Sequence, residues 1–257
     1  MIKKSIYIFL IIYLTGAYSQ VKDDSLKVRT FPFQNGEYLH FEVNYGFMLA
    51  GYATIEVREN KHYKGNDCFI FKTTAKSRDA FNWIYKVRDW TRSYFDKDSL
   101  RSVRFEKHLR EGSYHVDIEI DYDQENHTAN YFRVRKGKKN KRKEIKIPPN
   151  VIDALSSLFF VRMQDLKLGQ EILIPATDNT KIYNIKVLVL RKEKIKTKAG
   201  KFECIVVEPI MADGGVFKKD GKVQVWLTDD DKKMPAKMET KLFFGSIVAE
   251  LDWYTLK

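Results

Sequence analysis

The chain has 257 residues, 44% of them hydrophobic and 14% aromatic, a composition that excludes disorder as its general description. Its formal net charge of +12 invites a nucleic-acid reading, but the charge is localised. Arg133, Arg135, Lys136, Lys138, Lys139, Lys141, Arg142, Lys143 and Lys146 are opposed in their own stretch only by Glu144, so the basicity belongs to one segment.

Lys3 and Lys4 precede an apolar run from Ile6 to Leu14, and small residues follow at Ala17 and Ser19. This pattern predicts a secretory signal peptide over residues 1–19, cleaved after Ser19. The run is shorter than the roughly 20 residues a spanning helix needs, and no Cys follows it for acylation. Residues 20–32 read as a flexible spacer and residues 33–257 as a single domain. Export gives a periplasmic or outer-membrane-associated location and takes the basic run away from cytoplasmic nucleic acid. Lys138, Lys139, Lys141, Arg142 and Lys143 then become candidates for contact with anionic headgroups, the alternative being a solvated hairpin tip.

From Gly36 onward the pattern is strands and turns. Glu37–Tyr45, Ala50–Val57 and Cys68–Ser77 alternate apolar and polar residues and are rich in β-branched and aromatic types. Residues 79–85 break the alternation and predict a short helical turn. Strands resume at Val87–Phe95, Ser102–Leu109 and Tyr114–Tyr122, where Val116, Ile118 and Ile120 alternate with Asp117, Glu119 and Asp121. Thr128–Arg135 forms the hairpin partner, and the basic run the next connection. One amphipathic helix is expected at about 151–163, starting after Pro148-Pro149 with Asn150 as its N-cap. The second half reads as strands at Glu171–Pro175, Tyr183–Ile195, Phe202–Val207, Val223–Thr228, Lys237–Phe244 and Ile247–Tyr254, with turns at Lys198–Gly200 and Phe243–Ser246.

Parallel sheets need helices between strands, and these are missing. The expected fold is therefore mainly β: one highly curved antiparallel sheet or partly open β-barrel of about a dozen strands, with the helix packed on its concave face.

The inventory for catalysis is short. Asp79, Asp89, Asp153 and Asp229-Asp230-Asp231 are the carboxylates a glycan hydrolase would draw on, but Asp79 and Asp153 read as helix caps and the triplet as a turn. The five histidines show no paired spacing for a metal, and no nucleophile elbow, phosphate loop or other cofactor motif is present. Cys68 and Cys204 lie inside strand-like runs; they read as two buried free thiols, or as a bridge if those strands are neighbours. The aromatic residues are the more informative population. Phe81, Trp83, Tyr85, Trp90, Leu155, Phe159 and Trp226 are candidates to line an apolar cavity between sheet and helix, against the plainer reading of ordinary core packing.

Several landmarks recur in a fixed order. These are Gly36-Glu37-Tyr38-Leu39, Gly51-Tyr52-Ala53-Thr54-Ile55, Asp79-Ala80-Phe81, Tyr85-Lys86-Val87-Arg88-Asp89, and the stretch Asp153–Arg162. After them come Val225–Asp230, Met234-Pro235 and Gly245–Leu251. Over about Phe33 to Tyr254 this set resembles the exported bacterial proteins catalogued as domain of unknown function 3108. The resemblance implies an exported, single-domain, β-rich protein with no established activity and no catalytic residue to carry over. It also implies a general likeness to envelope lipid carriers built as a curved sheet with helical lids.

Together these features favour a non-enzymatic envelope protein, without cofactor, that binds an apolar or amphiphilic, lipid-like ligand and makes peripheral membrane contact. Two alternatives stay open: a structural or assembly protein acting through contacts with other envelope proteins, and a glycan hydrolase.

Overall fold

The alternating segments assemble into one fifteen-stranded sheet, seen here in a computed structural model that describes residues 30–83, 85–211, 222–241 and 245–256. The expected signal peptide, most of the expected spacer, and Phe243 and Phe244 of the last expected turn lie outside the described residues. The first run of strands is β1 (Glu37–Tyr45), β2 (Met48–Tyr63), β3 (Asn66–Ser77), β4 (Arg88–Asp96), β5 (Ser102–Glu111), β6 (Tyr114–Asp123), β7 (Thr128–Arg135) and β8 (Lys141–Lys146). A two-residue strand β9 (Ile152–Asp153) leads into the helix α1 (Ala154–Arg162). The second run is β10 (Glu171–Asp178), β11 (Lys181–Thr197), β12 (Gly200–Met211), β13 (Val223–Thr228), β14 (Pro235–Lys241) and β15 (Ser246–Leu256).

Each run is a meander, and the two are joined by antiparallel pairing of β1 with β15. The sheet's free edges are β8 and β9, the latter paired in parallel with β10. The sheet curls until its halves touch. Lys107 on β5 bridges to Asp178 on β10 at 3.0 Å, and the Tyr122 hydroxyl on β6 meets that of Thr177 at 2.6 Å.

The mainly β class and the helix on the concave face match the sequence reading. The strands it did not foresee are β8 and β9. Half of the expected basic connection is strand β8, whose exposed Lys141, Arg142 and Lys143 occupy an edge position. Charged edge residues of this kind discourage a further strand from pairing. The helix is shorter than expected, because Asn150 adopts a left-handed φ of 58° and the chain stays extended through Asp153. Asp153, not Asn150, is the N-cap, its carboxylate accepting from the Leu155 and Ser156 amides.

Inside the curl, one end is filled with aromatic rings. Phe71 stacks on Phe159 of α1 with centroids 3.5 Å apart, and Phe33 meets both rings edge-on. Phe31 packs against Phe33 and Phe69, so the packed body includes part of the expected spacer. Two polar devices anchor the helix here. Arg162, fully buried at its C-terminal end, forms a two-pronged ion pair with buried Glu37 at 2.6 and 2.9 Å, and donates to the Pro32 and Lys232 carbonyls. At its N-terminal end the second oxygen of Asp153 accepts from the hydroxyls of Ser93, Ser102 and Ser156.

Candidate functional site

The inward positions of the first strands become smaller from one end of the curl to the other. Along β3 they are Phe69, Phe71, Thr73 and Ala75; the β2 residues paired with the last three are Val57, Ile55 and Ala53, and Gly51 follows. Side chains on alternate positions share a face, so this taper leaves space where the small residues stand. Gly51 is confined to glycine, since a Cβ there would run into the Lys76 carbonyl.

The space is a cavity of about 800 Å³, open to solvent. Ala53, Ile55, Thr73, Ala75 and Thr91 form one wall, and Ile185, Val187, Val207, Val225 and Met238 the other. Ala154, Leu155, Leu158 and Val161 of α1 close it on the helix side. Its charged lining residues are Asp89, Lys107 and Asp178, and the last two form the bridge described above. The cavity is thus apolar in its body and polar at a few positions, within the size range of small-ligand sites.

Next to the opening, the Glu111 carboxyl lies close to the Asp89 carboxyl and the Tyr85 hydroxyl. Burial, then the charge and hydrogen bond of Asp89, push the Glu111 carboxyl above its ordinary value of 4.5. A carboxyl raised in the folded state contributes stability below its unfolded value and loses that contribution as pH rises through the folded one. Replacing Glu111 with Gln, which stays neutral, is therefore expected to raise stability at pH 7. Urea unfolding at a series of pH values should show that gain shrinking to nothing below about pH 4.5.

The structure distributes the sequence-predicted lining residues among four settings. Leu155 borders the cavity. Trp90 does so only through its place in β4: its ring stacks on His108 and beneath Arg92, in the row that alternates with inward Asp89 and Thr91. Phe159 is core and not lining. Trp226 packs with Cys204, Val206 and Ala236 on the face opposite Val225 and Leu227, flanked by Arg191 and Lys237. Phe81, Trp83 and Tyr85 lie in the β3–β4 connection beside the opening, with Trp83 82% exposed. Of the basic candidates, Lys138 and Lys139 sit in the β7–β8 turn, while Lys141, Arg142 and Lys143 are on β8; Arg142 lies 4.3 Å from the centroid of the Phe132 ring.

Of the candidate carboxylates, Asp89 lies on the cavity wall, while Asp79, Asp153 and Asp230 are engaged elsewhere. All five hydrogen bonds to the fully buried Asp153 come from serine hydroxyls and helix amides. Asp230 accepts from Thr228 and the Lys232 and Lys233 amides, as a turn residue does. Arg162 pairs with Glu37, and Arg88 with Asp79. Cys68 and Cys204 are buried and unpaired, and burial pushes both thiols up to about 12. Among the described residues, no group of His, Cys, Asp and Glu has a geometry able to hold a metal.

A curled, barrel-like sheet around an apolar cavity is the class of protein these features define. The family described as protein of unknown function DUF3108 matches residues 40–252, and the chain belongs to it. No curated protein matches the sequence. Among solved structures the fold is shared with a β-barrel-like protein of another domain of unknown function, DUF1849, from Brucella abortus. The two are 8% identical with a TM-score of 0.59, over 88% of this chain and 99% of that one. Two further structures align more loosely. A protein described as exported, from Bacteroides fragilis, has 11% identity and a TM-score of 0.38 over 88% of this chain and 98% of its own. A protein described as a lipoprotein, from Parabacteroides distasonis, has 12% and 0.40 over 88% and 97%.

Proposed function

We propose that the protein is an exported, non-enzymatic component of the cell envelope that binds one apolar or amphiphilic chain, such as the acyl part of a lipid, inside the curled sheet. The observation that carries this reading is the open cavity of about 800 Å³ whose walls are aliphatic and threonine side chains. A core built only for stability would bring such apolar walls together, because apolar surface left in water forgoes about 25 cal/mol per Å². The signal-like N-terminus supplies the compartment in which such ligands occur.

Native mass spectrometry of protein purified from its own host tests the reading. A bound species of lipid mass is expected, and it should return when stripped protein is incubated with envelope lipid. A clean apo mass that gains nothing on incubation rejects it. The variant Ala75→Phe, which places a ring in the cavity, should weaken the adduct by ten-fold or more while costing about 1–3 kcal/mol of stability.

A further inference from the structure

The strands alternate in direction, so one end of the curl gathers the β1–β2, β3–β4, β5–β6, β7–β8 and β10–β11 connections and the start of β15. The small inward residues stand at this end, which makes it the mouth of the cavity. The rim is unusually apolar for a surface. Phe47, at the tip of the β1–β2 turn, is 100% exposed; Met48, Trp83, Tyr85, Ile182 and Ile247 are also exposed.

Interleaved with these tips are Lys76, Arg78, Lys86, Lys181, Lys222 and Lys241, all exposed and none with an ion-pair partner among the described residues. Of the acidic groups near them among the described residues, Asp79 pairs with Arg88 and Asp178 with Lys107, which leaves the Asp89–Glu111 carboxyl pair against these six cations. Among the described residues the mouth thus presents apolar points in a field of net positive charge. Apolar side chains that insert below the headgroups, flanked by cations that meet anionic lipid, are the requirements of a membrane-surface contact.

We infer that the mouth is a docking surface for an anionic lipid bilayer, seated by Phe47, Trp83 and their neighbours and held by the surrounding lysines and arginine. The β7–β8 turn that carries Lys138 and Lys139 lies at this same end of the sheet, so the inference adds rim residues to the basic run as candidates for headgroup contact. The inference deepens the ligand-binding reading, because docking in this pose sets the opening against the source of an acyl chain.

Sedimentation with vesicles of phosphatidylcholine alone, or with phosphatidylglycerol added, tests it using the mature chain. Binding is expected to the anionic vesicles and to fall about five-fold for each rim cation neutralised, for example in Lys76→Gln, Lys86→Gln and Lys181→Gln. Phe47→Ser should weaken it by roughly ten-fold. Brominated lipid should quench tryptophan fluorescence in the parent and do so far less in Trp83→Phe. Surface substitutions of this kind leave the fold intact, which circular dichroism checks. Ala75→Phe keeps the rim and should still dock, so a failed cavity and a failed docking surface give different results. Equal binding by parent and rim variants overturns the inference, as does loss of binding only on neutralising Lys138, Lys139, Lys141, Arg142 and Lys143.

Discussion

Replacing Arg162 with methionine is expected to destabilise the protein by about 3–5 kcal/mol, the usual consequence of stranding one member of a buried ion pair. Glu37 is 1% exposed, so its carboxyl would be left buried with neither water nor a guanidinium to meet it. The loss reaches beyond the pair. The same guanidinium holds the Pro32 carbonyl, the Lys232 carbonyl and the rings of Phe33 and Phe159, so it ties the entering chain, β1, the end of α1 and the β13–β14 turn together. Lysine should rescue only part of this, since it lacks the planar fork that grips both Glu37 oxygens. The double variant Glu37→Leu with Arg162→Met should recover much of the stability, because no charge is then left buried. Equilibrium unfolding of the three variants decides the matter, and a stability for Arg162→Met equal to the parent's would refute the account.

The second large effect is expected at Asp153. Its carboxylate caps α1 and satisfies the hydroxyls of Ser93, Ser102 and Ser156, all of them buried. Alanine there removes the cap and leaves several buried donors without an acceptor, a combined cost of about 3 kcal/mol or more. Asparagine keeps one acceptor oxygen for the helix amides and should lose distinctly less. Calorimetry of both variants would show the ordering, and equal melting temperatures would contradict it. The effect should also reach the cavity, because Ala154 and Leu155 immediately follow this cap and form part of the lining.

Much of the fold was legible because its signals are local. Period-two alternation in Tyr114–Tyr122 and its neighbours marks strands whichever partners they find, and the missing crossover helices exclude a parallel sheet. What escaped were elements fixed by tertiary contact. Ile152–Asp153 is a strand only because β10 lies beside it, and Lys141–Lys146 carries charge where a strand usually carries β-branched residues. The buried partnership of Glu37 with Arg162 joins residues 125 positions apart and leaves no local trace.

The cavity lies between sheet and helix as expected, but its lining was legible only in part, for a different reason. Large aromatics attract attention as ligand contacts, yet in this protein Phe33, Phe71 and Phe159 are what fills the curl. A hollow forms where inward positions are small, and that signal was present in Phe69, Phe71, Thr73 and Ala75, each two residues beyond the last. Reading size along a face, in addition to polarity, would have pointed to the open end. The exposed Trp83 and Tyr85 were noticed as part of an aromatic cluster, and the structure places them beside the cavity instead of within it.

The seam between β1 and β15 carries a consequence for how the chain reaches this state. Every other antiparallel pairing joins strands that follow one another in sequence, whereas this one sets Glu37 opposite Leu256. Closing so large a loop before any contact rewards it makes the seam the natural late event in folding. The same geometry brings the first and last strands side by side, while the sheet's two edges, β8 and β9, are consecutive in the chain. A circular permutant that joins Leu256 to Phe31 through a short linker and opens between β8 and β9 would contain only nearest-neighbour pairs, all antiparallel except that of β9 with β10. It should fold markedly faster than the parent while reaching the same sheet.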